Sequence, residues 1–140
     1  MIRFSNRVKY GVQFLLFLSI DDEEFTGIQR AAISCDIPQK FLEAIAVDLK
    51  KSGMLEVKRG AGGGYRLNKD PKEILLSDVV TALEGIDIKS DSKSGDLILQ
   101  VVEKTLGDAV DGFWEVMRSV SLYQIQKHYS ESADKLMYYI

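Results

Sequence analysis

Lys58 and Arg59 stand directly before Gly60-Ala61-Gly62-Gly63-Gly64, and Arg66 and Lys69 follow that loop. Ammonium and guanidinium groups bind phosphate oxygens, a guanidinium also reads base edges, and a glycine run lets backbone approach a partner closely. From Lys50 to Lys69 there are six basic residues (Lys50, Lys51, Lys58, Arg59, Arg66, Lys69) against one acid, Glu56. The chemistry on offer is contact with a polyanion; taken alone, the segment also reads as a solvated surface hairpin. Catalysis is not indicated. A phosphate-cradling P-loop needs a Lys and Ser/Thr opening a helix, whereas Tyr65-Arg66-Leu67 is strand-like. No Ser/His/Asp set, paired carboxylates or metal cluster is apparent, so neither enzymatic activity nor a metal is expected.

The elements that must position these cations are legible. Leu55 and Val57 share one side of an alternating run, and Tyr65 and Leu67 share the same side of a second, predicting a β-hairpin. Upstream, Phe41, Leu42, Ile45, Ala46 and Leu49 recur at spacings of three and four, predicting a helix with one apolar face. Pro38 suits its first position, Gly53 its left-handed end, and Lys50 and Lys51 the negative end of its dipole. Thr26 is read as the cap of a shorter helix through Ile28, Ala31, Ala32 and Ile33, with a turn at Cys35-Asp36. Two helices, a tight turn and a basic hairpin make a winged helix-turn-helix, in which the second helix enters the major groove.

Net charge is −3 and 46% of the 140 residues are hydrophobic, which permits one good core but no general basic coat. Residues 1–85 hold 12 basic and 12 acidic side chains, and residues 86–140 hold 6 and 9. A neutral half with a local basic segment fits a focused contact. The run Asp21-Asp22-Glu23-Glu24 is read as a solvated loop. Arg3, Arg7 and Lys9 before Leu15-Leu16-Phe17-Leu18 loosely mimic a secretory signal, but acids follow where small residues should be. A buried first helix capped by Ser5 is expected instead, in a cytoplasmic protein with no membrane span. One cysteine excludes a disulfide within a single chain.

After a break at Asn68-Lys69-Asp70-Pro71, a short helix is expected from Ser77 as cap to Gly85, then a polar loop over 86–95. A long helix follows from Asp96, with apolar pairs at 97/98, 101/102, 105/106, 109/110 and 113/114, continued by Val116, Met117 and Val120. That stripe is wide for one helix on a small domain. It predicts a two-fold homodimer through this helix, against the alternative that it packs wholly on its own chain. The fold class is thus mainly α with a small β-hairpin wing: a winged helix-turn-helix over 1–85, and a dimerisation helix with C-terminal tail over 86–140.

Phe4-Ser5-Asn6-Arg7-Val8-Lys9-Tyr10-Gly11, Ile37-Pro38 through Phe41-Leu42-Glu43, and Arg59 through Tyr65 together resemble the Rrf-two family of winged-helix repressors. That family includes the iron–sulfur cluster regulator and the cysteine-metabolism repressor, and the likeness runs the whole chain. It implies a repressor binding double-stranded DNA. Lys58 is a basic wing residue, and by resemblance Arg59 and Gly60 enter the minor groove. Gln39, Lys40, Phe41 and Glu43 correspond to positions facing the major groove, where Glu43 can accept from a cytosine amino group or be a mere exposed charge. Ser5, Arg7, Lys9 and Tyr10 correspond to positions near phosphates. Val8 replaces the usual Gly, and Ala44 a polar residue of some members.

Iron–sulfur members carry three cysteines in the region of residues 86–105, where this chain has none, so no cofactor is expected. Ala61 and the ending Leu136-Met137-Tyr138-Tyr139-Ile140 are similar to the cysteine-metabolism branch. That likeness implies a tail (Tyr138, Tyr139, Ile140) docking on cysteine synthase; a tail helix packed on the dimer is the alternative. Two other readings stay open: a winged helix serving only as a protein-interaction module, and a redox switch at Cys35.

Overall fold

The structure, a computed structural model, describes residues 3–85 and 95–138. It contains, in chain order, α1 (Asn6–Ile20), α2 (Ile28–Cys35), α3 (Gln39–Lys51), β1 (Leu55–Lys58), β2 (Gly64–Leu67), a 3₁₀ turn (Pro71–Glu73), α4 (Leu76–Glu84), α5 (Leu97–Ser119) and α6 (Leu122–Tyr138). It is a mainly helical winged helix with one two-stranded antiparallel sheet.

Ser5 caps α1, its Oγ accepting from the Val8 N–H. The helix buries Val8, Phe14 and Leu15, so the run that mimicked a signal sequence lies in a core helix. Among the described residues no helix is long and apolar enough to cross a membrane. Gly11 is where α1 meets α4: a methyl group there would lie 2.4 Å from a Leu83 methyl. The α3 stripe buries Leu42, Ile45, Ala46 and Leu49, but Phe41 is 63% exposed and outside the core. Gly53 at φ +79 ends α3. Its N–H donates to the Lys50 carbonyl and the Met54 N–H to that of Leu49, the paired bonds of a Schellman motif.

Several local expectations are corrected. Pro38 lies one residue before α3, at its N-cap. Thr26 does not cap α2; Gly27 holds that position, and Thr26 is buried, pairing with Tyr65 through both backbone groups at 2.8 Å. Ser77 is buried inside α4, and the Asp78 carboxylate accepts from Leu75 N–H at the helix start. The acidic run is not all solvated: Arg30 grips Asp21 through two bonds of 2.5 and 2.6 Å, and Thr26 donates to the same carboxylate. The Arg30 guanidinium foremost, with Thr26 adding to it, lowers the Asp21 carboxyl to about 2.

The tail reading separates into two parts. Residues up to Tyr138 form α6, so the described part of the tail is helical, as in the alternative of a tail helix, while Tyr139 and Ile140 lie outside the described residues, as do residues 86–94 of the expected loop. The turn into α6 is a capping box: Ser121 Oγ accepts from Gln124 N–H, and Gln124 Oε1 accepts from Ser121 N–H. At this elbow Leu76 N–H donates to Val120 O and Leu122 N–H to Ile74 O, both at 2.8 Å. The second half of the chain is thereby stitched to the entrance of α4. Trp114 and Met117 bury the end of α5, but Leu97, Ile98, Val101, Leu106 and Val110 stay exposed.

Candidate nucleic-acid interface

The wing is a register-locked hairpin, with Leu55 opposite Leu67, Glu56 opposite Arg66, and Val57 opposite Tyr65. The bridge from Thr26 to Tyr65 joins it to the entrance of α2. This third backbone segment requires a glycine at 64: a methyl group there would meet the Thr26 carbonyl oxygen at 2.2 Å. At the tip, Gly63 N–H donates to Gly60 O at 3.0 Å, and Gly62 takes φ +72 at the third turn position, where a type II turn needs it.

The cations of the basic segment do different work. Arg66 donates to Glu56 at 2.8 Å and to Glu24 at 3.1 Å, and its guanidinium lies 4.5 Å from the centre of the Phe25 ring. Its charge is largely answered within the chain. Lys58 rests over the same ring, its Nζ 5.6 Å from the ring centre. Arg59, at the mouth of the turn beside Gly60, is exposed and has no carboxylate partner among the described residues. Lys50 and Lys51 lie exposed at the C-terminal end of α3.

Gln39, Lys40, Phe41 and Glu43 are all exposed on the first turns of α3. Gln39 Nε2 donates to Glu43 Oε1 at 3.0 Å, an i,i+4 pair along one flank. The N-terminal set divides. Ser5 donates to Glu84, and Arg7 donates through Nε to the Leu83 carbonyl at 3.0 Å and pairs with Asp48, so Ser5 ties the start of α1 to α4 and Arg7 ties α1 to both α4 and α3. Lys9 is exposed and Tyr10 half-buried. Phe25, Arg30 and Asp21, which set the base of the wing and the start of α2, escaped the sequence reading. The only signal was an acidic run placed before a helix whose one charged side chain is Arg30.

Cys35 ends α2 with its Sγ 3.9 Å from the Gln13 carbonyl oxygen, and partial burial raises its pKa. A thiol held in its neutral form is a poor redox nucleophile.

Two helices joined by a tight turn, the second one exposed along its outer side, and a glycine-tipped basic hairpin define a winged helix-turn-helix of the kind found in transcriptional regulators. The sequence matches the Rrf2 family, described as an iron-dependent transcriptional regulator, over residues 4–128, and the chain belongs to that family. It is 38% identical over 84 residues to the HTH-type transcriptional regulator NsrR of Geobacillus kaustophilus, an alignment covering 59% of this chain and 57% of that protein. It is 25% identical over 144 residues to the HTH-type transcriptional regulator CymR of Bacillus subtilis, covering 99% and 100%. Among solved structures, T. potens IscR superposes with a TM-score of 0.72 at 23% identity, covering 94% of this chain and 90% of the other. B. subtilis CymR gives 0.69 at 24%, covering 91% and 98%. These likenesses establish the fold.

The family description raises iron, and the donor set answers it. The full chain has one cysteine and one histidine. Cys35 is half-buried on α2 and His128 exposed on α6, and among the described residues no three His, Cys, Asp or Glu side chains converge as a metal site would require. These residues do not fit a cysteine-ligated iron–sulfur cluster.

Proposed function

We propose that this chain is a cytoplasmic, homodimeric, sequence-specific repressor that needs no iron–sulfur cluster. In this reading residues 1–85 bind duplex DNA and residues 86–140 pair the two copies. The α3 helix lies in the major groove, with Gln39, Lys40, Phe41 and Glu43 toward base edges. Arg59 and Gly60 reach the minor groove, with Lys58 on the backbone, and Lys9 and Tyr10 flank phosphates beside the Ser5 and Arg7 ties. The observation that carries the reading is Arg59, exposed and without a carboxylate partner among the described residues, on a wing that the Thr26–Tyr65 bridge fixes to the helix-turn-helix. The exposed apolar side of α5 supports the dimer, since a monomer would leave it in water. The end-to-end alignment with CymR, a relative titled the global cysteine regulator of B. subtilis, supports a role in cysteine metabolism. The finer reading adds a tail (Tyr138, Tyr139, Ile140) that docks on cysteine synthase, beside the alternative of a tail helix packed on the dimer.

The test is selection of duplexes from a random pool by the full chain, followed by affinity measurements on the selected site. Arg59→Ala should weaken binding by about 1–3 kcal/mol if it makes a base-edge contact, and Lys58→Ala should weaken it less and independently of sequence. Unchanged affinity in both variants removes the wing assignment. Failure to select any duplex leaves the protein-interaction module instead.

A further inference from the structure

The outward side of α3 is apolar where a groove-reading helix is ordinarily polar. Phe41 is 63% exposed and Val47 50%, and Ala44 between them is exposed too. Their core neighbours Leu42, Ile45 and Leu49 are fully covered, so the helix turns two apolar sides in different directions. The Phe41 ring is not folded back onto its own domain. It walls an open cleft of about 330 Å³ together with Tyr10, Ile45, Asn6 and Arg7. The polar readers on the opposite flank, Gln39 and Glu43, are bonded to each other.

We infer that Phe41, with the small Ala44 one turn on, is a specificity-determining contact for the C5-methyl group of a thymine in the major groove. The inference rests on the DNA-binding reading above and deepens it. The thymine methyl is the one apolar group that a base pair presents in the major groove, and side chains that recognise it are apolar. Charge around the patch selects DNA over a second protein as the occupant. Lys40 adjoins Phe41, and Lys50, Lys51 and the unpaired Arg59 lie further along the same helix and wing, where phosphates would flank the groove. The two acids beside the patch, Glu43 and Asp48, are held by Gln39 and Arg7, which leaves Lys40, Lys50, Lys51 and Arg59 to meet the phosphates on either side of a thymine methyl.

The experiment uses the full chain and the duplex obtained by selection. Each thymine is replaced in turn by deoxyuridine, which removes the methyl group and leaves the hydrogen-bonding edge intact. The loss of one buried methyl group predicts about fourfold weaker binding per half-site, and roughly fifteenfold when both half-sites are changed. In Phe41→Ala the same replacement should cost nothing, while Phe41→Leu should keep most of the discrimination. Because the ring is exposed, both variants should melt as the wild type does. No uracil-sensitive position, or full thymine discrimination retained by Phe41→Ala, overturns the inference while leaving DNA binding in place. A changed oligomeric state of Phe41→Ala without DNA would make the patch a protein interface and overturn it equally. Failure to select any duplex would instead refute the DNA-binding reading on which it rests.

Discussion

Replacing Gly64 by alanine should damage this protein far more than the same change at Gly60 or Gly62, although all three glycines have positive φ. At Gly64, φ is +152 and the new methyl group would meet the Thr26 carbonyl oxygen at 2.2 Å and the Gly27 nitrogen at 2.7 Å. Neither atom belongs to a flexible side chain. Relief requires separating β2 from residue 26, which breaks the two 2.8 Å backbone bonds between Thr26 and Tyr65. Those bonds contribute about 1 kcal/mol each. Backbone strain at a glycine-only conformation adds about 1–3 kcal/mol. The total is roughly 3–5 kcal/mol. At Gly60 (φ +94) and Gly62 (φ +72) a methyl group meets nothing within 4 Å, leaving only the strain of a left-handed residue, about 1–2 kcal/mol. Urea unfolding of the three variants gives the ordering directly. Duplex affinity near neutral pH then tests function: Gly64→Ala should lose the wing's contribution even where it is still folded. A Gly64→Ala protein as stable as wild type, or a Gly60→Ala protein less stable than Gly64→Ala, would refute the argument that residue 26 anchors the wing.

Asp21→Asn should lower stability near pH 6, where the wild-type carboxylate is fully ionised against Arg30. The folded carboxyl is lowered to about 2 from an ordinary 3.8, so its contribution is present above the ordinary value and disappears as pH falls toward 2. Unfolding curves of the two proteins should converge over that window, and a gap independent of pH would disprove the clasp. Leu106→Glu, on the exposed side of α5, should give monomers in sedimentation while the circular dichroism of the remaining helices persists; an unchanged dimer would mean that the copies pair elsewhere. Protein purified anaerobically should be colourless, and stoichiometric iron and sulfide in it would overturn the donor-set argument.

The parts of the fold legible in the sequence were those whose signals are local. The Schellman end at Gly53, the Ser5 cap, the Asp96 cap and the hairpin register all follow from a residue's own backbone preference or a two-residue period. What escaped was decided by partners distant in sequence. Thr26 looked like a cap because hydroxyl residues favour that position, but its backbone was claimed by Tyr65, 39 positions on. Phe41 fell in the apolar stripe by spacing, yet lies at the stripe's edge, where the neighbouring α1 leaves it uncovered. The start of α6 carries a local signal, since Ser121-Leu122-Tyr123-Gln124 is a capping-box pattern, but the apolar stripe of α5 runs up to Val120 and masks the boundary. The charge count of the wing also misled in part. Arg66 and Glu56 oppose each other across the strands, so the cation most central to the hairpin is the one least available to DNA.

The joint between the two halves decides how a signal would be read. In a dimer paired through α5, the distance between two α3 helices depends on the angle at which α5 leaves its own domain. That angle is set by short-range contacts: Trp114 and Met117 in the core, and the Ile74–Leu76 segment hydrogen-bonded to Val120 and Leu122. The same elbow launches α6, which lies against α1 and donates from Gln126 to the Ser19 carbonyl. The α1 helix is in turn tied through Arg7 to Asp48 on α3, so α6, the elbow and α3 share contacts with one helix. Palindromic DNA accepts only half-site spacings near a helical turn or its multiples, so a small change of angle at the elbow carries a large penalty in affinity. If the copies pair through α5 as proposed, a change of angle at the elbow would reach operator affinity without any contact to the wing or the recognition helix.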